Sequence, residues 1–346
     1  YGEQGNFLHS ALAALSPAEL VQMFEDEGVA TKVEETGKVF PVSNKATDVL
    51  AALVRRFDRS GAELSLAEPV VTCTRVEGKF LVVTQNGSLT CDSLLITVGG
   101  KSYPGSGTTG DGYAWAAAMG HDIVPPRPAL VPITTDAPWV KSLTGLTIPD
   151  VQVNVCEIAN PRSLASARGS FLFTHFGLSG PVILDASRAV TAHSKPRELA
   201  LMCDFLPATK QSDLEEQLQQ EAIAEGKKQI VGLLSKHNPR RLAEELLGLC
   251  GLNPELRSAE LPKRERNRLA AAIKQSLIPV SGTRGFEKAE VTAGGVSLRE
   301  VDSRTMQSKL VPGLYFAGEI LDLDGPIGGY NFQAAFSTGV LAGKNV

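Results

Sequence analysis

A carboxylate placed just beyond an apolar strand is the feature of this sequence with the clearest chemical use. Leu314-Tyr315-Phe316-Ala317-Gly318-Glu319 runs from a predicted strand into a glycine and then an acid. An acid in that place could accept a hydrogen bond from a ribityl hydroxyl of a flavin. Further on, Gly328-Gly329 opens a predicted helix beginning Tyr330-Asn331-Phe332-Gln333. The free N–H groups and positive dipole end of such a helix could face the flavin pyrimidine edge and favour its reduced form. The same stretch also reads as a plain strand, loop and helix with an exposed acid, and spacing alone leaves both readings open.

Other motifs were weighed against the chemistry they would need. Gly105-Ser106-Gly107-Thr108-Thr109-Gly110 matches the dinucleotide pattern G-x-G-x-x-G and follows a predicted strand. Lys101, Tyr103 and Pro104 intervene where a tight turn is required, and no acid follows at the distance of the ribose partner. The loop therefore reads better as a flexible segment over a ligand site, or as a structural turn. Gly100-Lys101-Ser102 resembles the end of a Walker A loop, but Leu95 occupies the place of its first glycine. The five histidines show no H-x-x-x-H spacing, which disfavours a metal site. Gly177-Leu178-Ser179-Gly180-Pro181 fails the nucleophile-elbow pattern at its last position.

The surrounding elements set where these residues stand. Ser16-Pro17-Ala18-Glu19 predicts a capped helix that closes at Gly28, and a second helix runs from near Asn44 to Gly61. Ala62–Leu66, Val70–Val76 and Phe80–Thr84 predict strands, with a hairpin turn at Asn86-Gly87. Ser93–Val98 predicts a buried parallel strand running into Gly99-Gly100, and Asp111 is placed to cap the helix that follows. Five prolines between Pro125 and Pro138 mark a composition shift. Beyond them, strands are expected at Val151–Ile158, Phe171–Thr174 and Leu199–Phe205. Residues 210–278 read as helical, with Lys263-Arg264-Glu265-Arg266 as a solvated face. Lys288–Thr292 and Gly313–Ala317 return to strand character, and a helix from Tyr330 to Leu341 closes the pattern. The expected domains are 1–124 (first part of an α/β cofactor domain), 125–206 (inserted β), 207–280 (helical subdomain) and 281–346 (second part of the cofactor domain).

Composition narrows the function class. The 346 residues are 43% hydrophobic and 21% charged, with a net charge of −4. That is ordinary globular composition, and it gives no electrostatic case for nucleic acid or a membrane surface as partner. No apolar run approaches the ~20 residues of a spanning helix. Five scattered cysteines without a C-x-x-C pair fit a reducing, cytoplasmic setting.

Three stretches together resemble the flavoprotein family of BaiN- and RdsA-type proteins, which are grouped with NAD(P)/FAD-dependent, aminoacetone-oxidase-like oxidoreductases. They are Leu95–Pro104 with Gly110-Asp111-Gly112-Tyr113, then Phe173–Pro181, then Val291–Val296 continuing through Met306, Ser308 and Lys309 to Gly339. Gly5-Asn6-Phe7-Leu8 and Phe40-Pro41-Val42-Ser43 resemble further landmarks. The resemblance covers essentially the whole chain. Family members begin with a βαβ unit carrying a glycine-rich pyrophosphate motif, which this sequence lacks, so an N-terminally truncated form is expected.

The resemblance implies an FAD-binding fold of the two-dinucleotide-domain type, with an inserted β domain and a helical subdomain covering the flavin. It implies FAD contacts at Val70, Val98, Gly99, Gly100, Gly318, Glu319, Gly328, Gly329, Tyr330, Asn331 and Gln333. NAD(P)H would be the co-substrate, and an unsaturated or enone-like small molecule would be reduced through flavin N5. Tyr103 is the first candidate proton donor, followed by Lys101, Tyr330 and His175. Each has a plain alternative: packing on the flavin for the tyrosines, solvation for Lys101, a structural role for His175. The alternative function is a non-enzymatic RNA- or protein-binding module, resting on the basic stretch Arg257–Lys274. Oligomeric state is not legible at this level.

Overall fold

The computed structural model describes residues 1–346, with the side chains of Gly2, Glu3 and Pro161 outside the description. The chain is mixed α/β and divides into two compact units. One is discontinuous, Tyr1–Arg127 with Val291–Val346, and the other is Pro128–Glu290.

In the discontinuous unit, strand Leu94–Ile96 pairs in parallel with Leu314–Phe316, matching Ile96 to Phe316. The ladder extends at both ends, through Leu94 N–H to the Gly313 carbonyl and Ala317 N–H to the Ile96 carbonyl. The residues are short and apolar because neighbours cover both faces; Ile96, Leu314 and Phe316 are buried with Phe80, Ala116, Val296, Ile320 and Leu341. An antiparallel sheet of Val70–Val76, Lys79–Thr84 and Ser88–Cys91 turns through Asn86-Gly87 as expected. Helix Pro17–Asp26 has the expected capping box, with Ser16 and Glu19 bonded reciprocally. Helix Ala46–Ser60 ends at left-handed Gly61.

The continuous unit is built on a seven-stranded antiparallel sheet. Its strand order is Ser276–Pro279, Leu199–Asp204, Thr147–Glu157, Asn160–Thr174, Gly177–Ser179, Ile133–Thr134 and Gly282–Thr283. Helix Pro181–Ala192 covers its middle strands, and helices Gln211–Ala224, Ile230–Leu234, Arg240–Leu249 and Lys263–Lys274 share the same core. That core is aromatic at its centre, with Phe171, Phe173 and Phe205 mutually in contact.

Several expectations need correction. Ala62–Leu66 forms no strand; its residues are exposed and no neighbour offers a ladder. Strand Asn160–Thr174 is far longer than Phe171–Thr174, because pairing with Thr147–Glu157 carries its small polar half. Asp111 is the first residue of helix Asp111–Ala118, with Gly110 in the cap position. Its carboxylate instead accepts from the Thr109 hydroxyl at 2.6 Å. Pro125, Pro126 and Pro128 lie inside strand Ile123–Ala129, which pairs only with Val291–Val296, and a two-stranded pair leaves edges where proline is tolerated. Lys288 falls in a short 3-10 turn, and the strand begins at Val291. The stretch 210–278 is four helices and the start of a strand, with Lys263 and Arg264 exposed as a solvated face.

Candidate functional site

Two chain segments leave the carboxyl ends of the adjacent parallel strands side by side. That is where open α/β sheets present ligands, because the loops there are free to shape a crevice. The first segment is Thr97-Val98-Gly99-Gly100 and the second is Ala317-Gly318-Glu319.

Gly100 and Glu319 meet against Thr292. The Thr292 N–H donates to Glu319 Oε1 at 2.6 Å. The Thr292 hydroxyl accepts from Lys101 N–H at 2.8 Å and Ser102 N–H at 3.1 Å, and lies 2.9 Å from the Ser102 hydroxyl. A Cβ at position 100 would stand 2.4 Å from Thr292 Oγ1 and 2.8 Å from Glu319 Oε1, so only glycine fits. Thr108 closes the other side, its hydroxyl reaching the Gly100 carbonyl at 2.7 Å and the Val98 carbonyl at 3.0 Å. Helix Asp111–Ala118 is drawn in closely, since a Cβ at Gly112 would stand 2.5 Å from Val98 Cγ2.

Burial pushes the acids of this site upward. Burial raises the Glu319 carboxyl above its ordinary value, and the Thr292 bonds only partly oppose it. Burial likewise raises Asp322, although Gln4 donates to its Oδ2 at 2.9 Å. The Tyr113 phenol is pushed up by burial and then by Glu319 and Asp322. Its hydroxyl is buried without a hydrogen-bond partner.

The remaining predicted residues occupy distinct places. Val98, Tyr103 and Tyr330 are exposed. Tyr103 adopts a left-handed backbone at φ 55°, unusual for a non-glycine residue, and its carbonyl accepts from Ser106 N–H and Oγ, both at 2.9 Å. Lys101 follows Gly100 with an exposed side chain. Val70 opens the strand whose next carbonyl, Val71, accepts from the Trp115 indole of helix Asp111–Ala118. Gly318 N–H donates to the Thr338 hydroxyl at 3.0 Å, which ties the Glu319 turn to helix Tyr330–Gly343. Gly329 caps that helix with Gly328 before it. Asn331 spans the preceding loop, accepting from Gly325 N–H at 2.8 Å and donating to its carbonyl at 3.1 Å. Gln333 donates to the Leu15 carbonyl and the Ser337 hydroxyl. Tyr330 presents its carbonyl to the Tyr1 hydroxyl, and the two rings meet edge to face. His175 lies in the other unit.

Thr292, Ser102, Thr108, Tyr113 and Thr338 were not singled out from sequence for a role. The available signals were a threonine inside the fully buried run Val291–Val296 and the place of Ser102, Thr108 and Tyr113 in the glycine-rich stretches quoted above. Among the described residues no group of three or more histidine, cysteine or acidic side chains is placed to hold a metal. No helix there is long and apolar enough to cross a membrane.

The geometry fits a flavin's hydroxyl-bearing chain on its own evidence. Glu319 is an acceptor carboxylate at the strand ends, held through Thr292, and beside it Tyr113 keeps a buried phenol without a hydrogen-bond partner.

Comparison with known proteins agrees with the motif resemblance. The model of the HI0933-like protein Rossmann domain matches residues 1–345. A ribosomal RNA dihydrouridine synthase of Escherichia coli is 32% identical over 336 residues, covering 96% of this chain and 80% of that protein. The protein of the same name from Haemophilus influenzae is 31% identical, with the same coverage of each chain, 96% and 80%. A 3-dehydro-bile acid delta(4,6)-reductase of Clostridium scindens is 30% identical, covering 99% of this chain and 83% of that protein. With its family model matched end to end, this chain belongs to the HI0933-like Rossmann family, the BaiN- and RdsA-type flavoproteins.

Proposed function

We propose that the chain is an FAD-dependent oxidoreductase that uses NAD(P)H to reduce a carbon–carbon double bond conjugated to a carbonyl. The observation that carries this reading is the Gly100–Thr292–Glu319 cradle at the ends of two parallel strands. Relatives named as a reductase and as a dihydrouridine synthase support a reduction. When bound, the flavin would supply hydride transfer from NAD(P)H to the substrate.

The protein's part is to hold and to protonate. Glu319 Oε2 would accept from a ribityl hydroxyl, and Val98, Gly99 and Gly100 would let backbone approach the cofactor closely. The Gly328-Gly329 turn and the start of helix Tyr330–Gly343 would present N–H groups to it. Tyr103 Oη is our first choice for delivering the proton that completes reduction. Its left-handed backbone costs about 1–3 kcal/mol, a cost usually met where a side chain must be aimed. Lys101 is the second choice. Five unpaired cysteines support a reducing, cytoplasmic setting.

For the binding-module alternative, part of the basic stretch Arg257–Lys274 is engaged within the chain. In helix Lys263–Lys274, Arg268 pairs with Glu265, Lys274 with Asp204, and Arg266 donates to Gln219.

The test is an absorption spectrum after adding FAD and desalting, followed by NAD(P)H under anaerobic conditions. Retained flavin bands that bleach with NAD(P)H are expected. Glu319→Ala should weaken FAD affinity by roughly tenfold to a hundredfold, the scale of one hydrogen bond to a charged group. Unchanged affinity removes the site. Tyr103→Phe should slow substrate reduction while leaving flavin reduction by NAD(P)H unaltered; equal effects on both steps exclude it as donor.

A further inference from the structure

The seven-stranded sheet holds a second constellation in which two loops are fixed by one strand. Gly177 and Gly282 both pair with Thr134, and Leu178 and Thr283 both pair with Ile133. The Thr135 N–H donates to the Phe176 carbonyl at 3.3 Å, and the Arg284 N–H donates to the Pro132 carbonyl at 3.0 Å. Gly177 permits this closeness, since a Cβ there would stand 2.4 Å from the Ile133 carbonyl oxygen. Phe176 and Arg284 are thus each anchored within one residue of the same short ladder.

The anchoring brings a cation, an aromatic ring and an imidazole together. The Arg284 guanidinium carbon lies 4.6 Å from the centre of the Phe176 ring. The His175 ring meets the same Phe176 ring edge to face at 5.0 Å. Among the described residues, no carboxylate stands within ion-pair distance of Arg284. Arg168, on the same sheet, shows the opposite case, its fork closed on Asp150 at 2.8 and 2.7 Å. Among the described residues the Arg284 side chain donates no hydrogen bond, so the guanidinium held over Phe176 has N–H groups available for a planar anion. The imidazole of exposed His175 adds an N–H donor. A guanidinium already held in place loses little freedom when an anion arrives.

We infer that Arg284, held over the Phe176 ring beside His175, forms a recognition site for an oxyanion carried by the substrate, a phosphodiester or a carboxylate. Naming the oxyanion as the substrate's rests on the reductase reading above; binding of the anion does not.

The experiment is a calorimetric titration of the full chain, without turnover, using inorganic phosphate, a short oligouridylate and cholate. Wild type is expected to bind phosphate and at least one of the other two. Tighter oligouridylate assigns a phosphodiester, and tighter cholate a carboxylate. Arg284→Met keeps the apolar stem and should lose about tenfold in affinity for the preferred probe. Arg284→Lys keeps the charge without the fork, and should lie between the two. Equal affinity in wild type, Arg284→Met and Arg284→Lys overturns the site, as does wild type that binds none of the three probes. A lower melting temperature with unaltered binding would make the Arg284–Phe176 contact purely structural. Loss of flavin bands in the earlier test would leave these titrations unaffected, so the two failures are distinguishable.

Discussion

Glu319 is partly buried and His121 fully buried, and they load the pH dependence of stability with opposite signs. Burial raises the Glu319 carboxyl, so the folded chain holds that proton more tightly than the unfolded chain does. Its contribution is complete at low pH and is lost as pH rises from the ordinary carboxylate value, about 4.3, through the raised one. Ligand-free Glu319→Gln should therefore show a flatter fall in urea midpoint above that value than wild type, with Asp322 supplying the remainder. His121 works the other way. The Ser308 hydroxyl accepts from Leu310 and Val311 N–H, so its single proton goes to His121 Nε2 at 2.9 Å. That ring nitrogen must be bare, leaving Nδ1–H toward Glu300 at 3.2 Å. Burial lowers the His121 value, with Glu300 partly opposing. Stability from the neutral ring is present above about 6.5 and lost as pH falls through the lowered value. His121→Gln should be less acid-sensitive than wild type over that range, and equal sensitivity would refute a lowered His121 value. At Gly100 the expectation is steric: Gly100→Ala forces Thr292 or Glu319 aside and should cost about 1–3 kcal/mol by denaturant titration.

Among the elements, those with local chemistry were legible and those made by distant pairing were not. The box at Ser16 and Glu19 is a reciprocal bond across three residues, so it shows in sequence; Ser16→Ala should cost about 1 kcal/mol in thermal or urea unfolding. Gly61 and Asn86-Gly87 were legible for the same reason, each needing only its own backbone. Asn160–Ser170 was not, because its small polar residues carry no strand periodicity and become a strand only through Thr147–Glu157. Ala62–Leu66 shows the converse, an alternating apolar–polar stretch that finds no partner. The site divides likewise. Gly100 and Glu319 announce themselves as a glycine and an acid after apolar strands. Thr292, which joins them, lies 191 residues from the Lys101 amide it accepts from, and its local mark is only a threonine in an apolar run. Gln333 sits one turn into its helix, and only the fold shows its amide turned to Leu15.

Across the whole chain, two separate cores predict two separate unfolding events. Phe80, Ile96, Phe316 and Ile320 belong to the core of the discontinuous unit, and Phe171, Phe173, Phe205 and Leu246 to that of the other. Each unit has one of the chain's two tryptophans. Trp115 packs on the first core and donates to the Val71 carbonyl, while Trp139 lies 6.1 Å from Phe173 in the second. Trp139→Phe therefore leaves a fluorescence probe of the discontinuous unit alone, and Trp115→Phe a probe of Pro128–Glu290 alone. Urea titrations of the two variants should give different midpoints, because a chain with two cores need not unfold in one step. The Gly100–Thr292–Glu319 cradle lies wholly within the discontinuous unit, so a flavin bound as proposed would stabilise that unit by mass action. Adding FAD should raise the Trp115 midpoint and leave the Trp139 midpoint where it was. Coincident midpoints that move together on adding FAD would mean that the two cores unfold as one, and the cradle's stabilisation would then be shared by the whole chain.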